Sequence, residues 1–446
     1  MTSPTTALPF TFQPGLKPRF KARIWVLIEV LLILSYTVKP FKHRPLVFFV
    51  PIAILCLYSL FCTHMIHLEH VANSGWGMAC RLTAILLLSS TNILLSDIQH
   101  DLQPTKRAKV RQQKKNDDIR EGALSRSISE EPFLTRLKWA FMDVWFNPRA
   151  INYSDEATNI LPPRPSFPTR RAFVLRQLRD LVIGIFIYDV TQIVARANPY
   201  FGFPTPKVEG IQQLWRLGGF LYGVGIYLMV QFQHKIASMI FVGFGISDAE
   251  DWRPLFHSFK YAYSLRGLWG KMWHQMFRRA GLAHANYFLK KLGIPRKSTA
   301  ANFFTLYVVF ALTGILHHGG DAMFLQSISK AGSFQFFMLQ AVGITIEDFV
   351  LKLVGSITTT KEAKANLETT KHIADADVRA NDEKLPPWSV RLLGFTWVLV
   401  WLSITLPWWT DPICNNGYMR EIPEFSIILG LWRGEWLPEE WQPIKE

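Results

Sequence analysis

Cysteine is scarce in this chain: four residues, Cys56, Cys62, Cys80 and Cys414, among 446. Three lie in or beside apolar runs and none forms a CxxC, which argues against a disulfide framework and a thiolate zinc site. No serine or cysteine stands in a nucleophile motif such as G-x-S-x-G, so the pattern does not call for a covalent intermediate on the chain. No internal repeat is visible. No cleavable signal is visible either: the first apolar run begins near Ile24, and no small-residue cleavage site follows it. That run is expected to be a first transmembrane span that serves as its own targeting signal. Acidic residues are few beside basic ones, 34 against 49, leaving a net charge of +15. The excess is clustered, and no nucleic-acid-binding motif accompanies it. Membrane lipids or a phosphate-rich small molecule are the better partners, and nucleic acid is not expected.

What is abundant is apolar surface. The chain is 49% hydrophobic and 14% aromatic, which points to an all-α, polytopic integral membrane protein. About eight transmembrane helices are predicted: Ile24–Val38, Leu46–Cys62, Ala79–Ile98, Leu178–Ala197, Leu214–Gln231, the run near Asn302–His318, Phe334–Val354 and Trp388–Trp409. Ile236–Ile246 is apolar but short, and reads as a re-entrant or interfacial segment. Phe133–Phe146, with Trp139 and Trp145, reads as a helix lying on the membrane surface. The Lys/Arg-containing loops 99–171, 247–300 and 356–387 are assigned to the cytosol, within one membrane-embedded domain covering 1–446. The N-terminus then falls in the lumen.

The stretch that organises the chain is Asn302–Met323, NFFTLYVVFALTGILHHGGDAM. An ionisable residue inside a membrane helix is costly and marks a functional site by default. On a helix, Thr313, His317 and Asp321 share one face. Gly314 leaves room beside the imidazole for another helix or a ligand. His318 points about 100° away from His317. A dry pocket with one imidazole, oriented by a carboxylate, suits general-base chemistry.

Two further stretches carry a resemblance. Residues 252–279 read WRPLFHSFKYAYSLRGLWGKMWHQMFRR. The run from Pro254 through Ser264-Leu-Arg-Gly-Leu-Trp269 to Trp273-His274-Gln275 closely resembles the wax-synthase-type signature P-x-F…SLR-x-FW-x-x-x-WHQ, with Leu268 for the usual Phe. Thr313-Gly314-Ile-Leu-His317 is similar to that family's SG-x-x-H. Upstream, Asn147-Pro-Arg149-Ala-Ile151-Asn152 resembles its N-x-RG-I-G segment, with Ala150 and Asn152 in place of both glycines. In order and spacing, 145–321 resembles the membrane-bound O-acyltransferase superfamily, in the fungal branch that acetylates terpenoid and meroterpenoid alcohols. The resemblance implies that fold, with an acyl group, most simply acetyl, moved from acyl-CoA to a hydroxyl of a hydrophobic alcohol. It implies acyl-CoA as a co-substrate rather than a bound cofactor, a role in secondary metabolite biosynthesis, and the endoplasmic reticulum membrane. It also implies that His317 matches the catalytic histidine, and His274 the second polar position.

The chemistry reads the same way. Acyl transfer to an alcohol needs a base for the hydroxyl proton and donors for the oxyanion. His317 suits the base; His274, Asn302 and the Trp273 indole are candidate donors. Trp269, Trp273, Asn302, Thr313, Gly314 and Asp321 are the candidate substrate-binding residues. The basic cluster that begins with Lys271, Arg278 and Arg279 and runs to Lys297 is placed to hold the phosphates of coenzyme A. No metal is expected.

Four other readings compete. A wax ester synthase would use the same site on long-chain alcohols. A di-iron hydroxylase would draw on His64, His67 and His70 with the His317–His318 pair. A prenyltransferase would use Asp97 and Asp101, a single DxxxD where two acidic motifs are usual. A transporter would use Asp189, Glu347 and Asp348 as intramembrane carboxylates.

Seven Lys and Arg between residues 106 and 120 generate a topological prediction. Protease added to sealed microsomes cuts within 99–139. Full protection of that loop would reverse the orientation of every span.

Overall fold

The computed structural model describes residues 18, 20–64, 74–105, 128–201, 217–362, 385–416 and 426–436. Residues 106–127 and 363–384 of the assigned cytosolic loops lie outside them, as do His67 and His70. The described chain is helical, and no β-strand forms among the described residues. Its longer helices are α1 Ala22–Thr37, α2 Val50–Cys62, α3 Ser74–Ser89, α4 Phe133–Phe146, α5 Arg170–Ala197 and α6 Gly219–Gly243. They continue with α7 Arg278–Lys291, α8 Thr299–Phe324, α9 Ser333–Glu362, α10 Trp388–Thr405, α11 Pro407–Cys414 and α12 Ile427–Arg433.

Among the described residues, four stretches are long and apolar enough to cross a membrane: Pro45–Cys62, Trp76–Leu95, Thr299–Phe324 and Trp388–Thr405. Helices α5, α6 and α9 have 28, 25 and 30 residues, lengths beyond a bilayer core of about 30 Å. Helix α1, at 16 residues, is shorter, and its one acid, Glu29, forms a two-pronged pair with Arg81 of α3 at 3.0 and 3.1 Å. Helix α4 coincides with the predicted surface helix and packs Trp139 against Tyr36 of α1.

Two sequence boundaries do not hold. The expected fifth span, Leu214–Gln231, and the re-entrant segment Ile236–Ile246 form one helix, α6, with residues 214–216 outside the described chain. The polar residues that divide them are helix formers and find partners without bending the backbone: Gln231 donates to Tyr227 Oη, and Lys235 reaches Gln177 and Asp180 of α5. Conversely, Trp388–Trp409 is not one span. Helix α10 ends at Thr405 and α11 begins at Pro407, because a proline has no N–H for the ladder and is preorganised for a first helical turn. That break turns Trp409 inward, where it is buried.

Helix α8 sits between α3 and α9, and its glycines set how closely they come. A side-chain carbon at Gly319 would overlap Thr83 of α3, and one at Gly320 would overlap Cys80. At Gly314 it would lie 3.1 Å from Phe334 of α9. The space that Gly314 leaves is therefore taken by a helix and not by a ligand. By contrast, nothing lies within 4 Å of the corresponding point at Gly77, within α3.

Gly319→Val is expected to destabilise the protein by about 1–3 kcal/mol through overpacking. Gly77→Ala should instead stabilise it by about 0.5–1 kcal/mol through helix propensity. Thermal unfolding of the detergent-solubilised protein reads both, and equal melting of the two variants would disprove the close approach of α3 to α8.

Candidate active site

One face of α8 lines a cavity of about 1320 Å³: Thr299, Asn302, Phe303, Leu306, Phe310, Thr313 and His317. Apart from the adjacent pair Asn302 and Phe303, they recur every three or four residues, the helical period. The cavity therefore runs along the helix for about 27 Å from Thr299 to His317. Helix α9, antiparallel, lines it from Phe336 and Phe337 at the His317 end to Asp348 and Lys352 at the other. Asn302 lies near the Thr299 mouth, about 22 Å along α8 from His317; it does not reach an atom reacting at His317.

His317 is fixed by its own helix and by rings. Its Nδ1 lies 2.8 Å from the Thr313 carbonyl. A carbonyl only accepts, so Nδ1 carries the proton and Nε2 holds the free lone pair. The ring packs against Phe337, Trp409 and Trp76, with centroids 4.7, 5.2 and 6.0 Å away. The Thr313 hydroxyl donates to Val309 O. His318 is not part of the cavity wall; it faces Phe334 at 6.4 Å. Asp321 is not part of the wall either. It is fully buried and accepts from the Trp76 indole at 2.9 Å, the Trp409 indole at 3.1 Å and Ser333 N at 3.1 Å. The His317 ring is thus oriented by a backbone carbonyl and not by this carboxylate.

His274 lines the same cavity. Burial pushes its imidazole pKa down to about 3, and charge on His317 and Arg149 acts the same way. It is therefore neutral at physiological pH, and its Nδ1 has no protein partner. The surrounding motif holds it. Ser264 Oγ accepts from Gly267 N, capping the short Leu265–Gly267 turn. Gln275, buried, donates to the carbonyls of both Trp269 and Trp273. Trp269 and Trp273 meet edge to face at 5.6 Å and line the cavity, and the Trp269 indole reaches Gln340 Oε1 at 3.3 Å.

The basic cluster divides. Arg278 lines the cavity and forms no ion pair among the described residues. Gly281 abuts Val309, so antiparallel α7 sets Arg278 about level with Leu312, well inside the mouth. Its neighbour Arg279 points elsewhere, donating to Asn92 Oδ1 at 3.0 Å and pairing with the buried Asp143 at 3.7 Å. Lys271 lies over the Tyr261 ring at 4.3 Å and is not part of the cavity wall. Sequence reasoning missed two cations of that wall: Lys352, and Arg266, which pairs with Asp348. Arg266 was visible inside the SLRG motif; Lys352 had no signal beyond helical register with Asp348.

Two carboxylates of the transporter reading make structural contacts. Glu347 accepts from Leu265 N, Arg266 N and the Trp397 indole, so it fastens the motif to α9. Asp189 accepts from Ile428 N at 2.7 Å. Among the described residues, no three His, Cys, Asp or Glu side chains converge as a metal site. The upstream segment is a scaffold. Ala150 and Asn152, where the resemblance expects glycine, are the positions with φ of 52° and 73°, the left-handed region that favours glycine. Asn147 brackets the turn through Ile151 N and O, and Arg149 donates to the carbonyls of Arg253 and Pro254, where the motif begins.

Residues 252–339 match the model of the membrane bound O-acyl transferase family. Among curated proteins, the acetyltransferase ple2 of Rhodocybe pseudopiperita is 28% identical, over 95% of this chain and 99% of its own length. The acetyltransferase eriL of Hericium erinaceus is 27% identical over 68% of this chain and 73% of its own. The acetyltransferase spyB of Aspergillus fumigatus is 36% identical over 58% of this chain and 45% of its own.

The adjacent arginines give opposite expectations. Arg279→Ala strands the Asp143 carboxylate and should cost about 3–5 kcal/mol of stability. Arg278→Ala should leave melting unchanged and lower kcat/KM for the acyl donor, by about 1.5–3 kcal/mol for one charged hydrogen bond. Normal donor kinetics in Arg278→Ala would remove that residue from the donor path.

Proposed function

We propose, for a chain that belongs to the membrane bound O-acyl transferase family, that it acetylates a hydroxyl of a hydrophobic, terpenoid-type alcohol with acetyl-CoA. The observation that carries this is the placement of His317 and His274 on one deep cavity with a cationic wall. His317 Nε2 takes the acceptor's hydroxyl proton, and the alkoxide attacks the thioester carbonyl. His274 donates to the oxyanion. The C–S bond breaks, and the thiolate leaves with the proton returned by His317. Arg266 and Lys352 at the mouth, with Arg278 deeper, supply the positive wall for the donor's phosphates. The apolar wall of Leu306, Phe310, Phe336 and Phe337 suits a hydrophobic acceptor. Acetyl is favoured over longer chains by the relatives' printed names and by the rings packed around His317.

The proposal extends to topology. Helices α1, α2, α3, α5, α6, α8, α9 and α10 supply eight spans, with 99–171, 247–300 and 356–387 cytosolic. Thr299 and Lys352 then mark a cytosolic mouth, the side on which coenzyme A is found. The endoplasmic reticulum is the membrane proposed.

The test incubates membranes with labelled acetyl-CoA and longer acyl-CoAs against terpenoid and fatty alcohols, and reads products by mass spectrometry. His317→Ala is expected to lower kcat by about 10²–10⁴ with expression retained, and His318→Ala far less. Long-chain esters as the main product would favour the wax ester reading. Normal turnover in both histidine variants would end the general-base mechanism.

A further inference from the structure

Asp321 is a fully buried carboxylate without a cationic partner among the described residues. Its salt-bridge options are absent, and three neutral donors hold it: two indoles through Oδ1 and one backbone amide through Oδ2. A buried charge left without a counter-charge is costly and calls for an explanation. The same two indoles wall the His317 ring, at 6.0 and 5.2 Å. Four residues, about 6 Å of helix, separate Asp321 from His317 on one helical face. The carboxylate, the two indoles and the imidazole therefore form one packed unit, and only the imidazole meets the cavity as a base.

We propose that Asp321 is a positioning residue whose negative charge complements the imidazolium that His317 becomes on taking the acceptor's proton. This rests on the base role proposed above for His317. In the ground state the imidazole is neutral and the carboxylate is held by its three donors. In the transition state the proton moves from the alcohol oxygen to His317 Nε2, and positive charge appears one turn from Asp321. Because the donors are already in place, no reorganisation is needed as that charge develops. Trp76 and Trp409 serve two ends: their rings fix the imidazole plane, and their N–H groups hold the carboxylate oxygen Oδ1 in place.

The groups whose charge couples to the imidazole are Asp321 on α8 itself and His274 across the cavity. Cys80 of α3 lies against Gly320, His318 faces Phe334, and α9 brings Phe337 to the ring. Asp411 is taken up by Tyr200.

The experiment compares full-length protein with Asp321→Asn, which keeps the side chain's size and removes its charge. The expected result is a fall of about 10–100-fold in kcat, with KM for donor and acceptor unchanged within about twofold. A nearby carboxylate favours the protonated imidazole, so its loss should move the acid limb of the kcat–pH profile to lower pH. If Asp321→Asn does not fold, Trp76→Phe with Trp409→Phe removes both indole donors and should lower kcat and move the limb in the same direction. An unmoved acid limb in the folded variant, whatever its kcat, overturns the proposal and leaves Asp321 a structural staple. The His317→Ala variant separates the two ideas. Turnover surviving that change sinks the base reading, whereas an inactive His317→Ala beside an unmoved limb sinks only the role of Asp321.

Discussion

The contact between His317 Nδ1 and the Thr313 carbonyl is the constraint from which the site follows. It fixes the tautomer, and so decides which nitrogen can accept a proton. A helix can always offer this acceptor, because the carbonyl four residues back points along the axis towards it. It cannot hold the ring plane by itself. That is supplied from three other helices, by Trp76, Phe337 and Trp409. The glycines of α8 bring two of those helices near: Gly314 admits the start of α9, and Gly319 with Gly320 admits α3. The third, α11, arrives because Pro407 ends the preceding helix.

Much of this was legible in the sequence, for physical reasons. The cavity face of α8 follows a helical period, and the surface helix Phe133–Phe146 carries its tryptophans at interfacial spacing. The motif from Ser264 to Gln275 reads as a unit because its polar residues cap and brace one another. What was not legible depends on tertiary partners. Arg278 and Arg279 are chemically identical neighbours; only the position of Asp143, on a helix far upstream, decides which is held inside. Asp321 shares a face with His317 as its spacing says, yet two indoles distant in sequence both bond its Oδ1. Lys235 looks like a break until Gln177 and Asp180 of α5 are placed beside it.

Charge in this protein serves mostly as fastening. Glu156 joins Arg164 and Arg253, Glu347 gathers two backbone amides and an indole, and Arg149 clamps two carbonyls at the start of the motif. These contacts surround the cavity without lining it. Beside its apolar wall the cavity presents two imidazoles, some indoles, uncharged polar groups such as Asn302 and Gln275, and three cations with Asp348 spread over its length. A site of this kind gains its chemistry from enclosure more than from the number of its polar groups.

The proline that separates α10 from α11 has an evolutionary reading. Residues on one uninterrupted helix share its rotation, so an insertion near the wall would turn the lipid-facing surface with it. The break at Pro407 removes that coupling. One residue gained or lost between Thr405 and Trp409 rotates the indole about 100° around its own short helix, while α10 keeps its register against the bilayer. The deep wall can thus be recut by small insertions or deletions as well as by point substitutions. A lineage that diversifies its acceptors could change its choice of alcohol there without disturbing how the protein sits in the membrane.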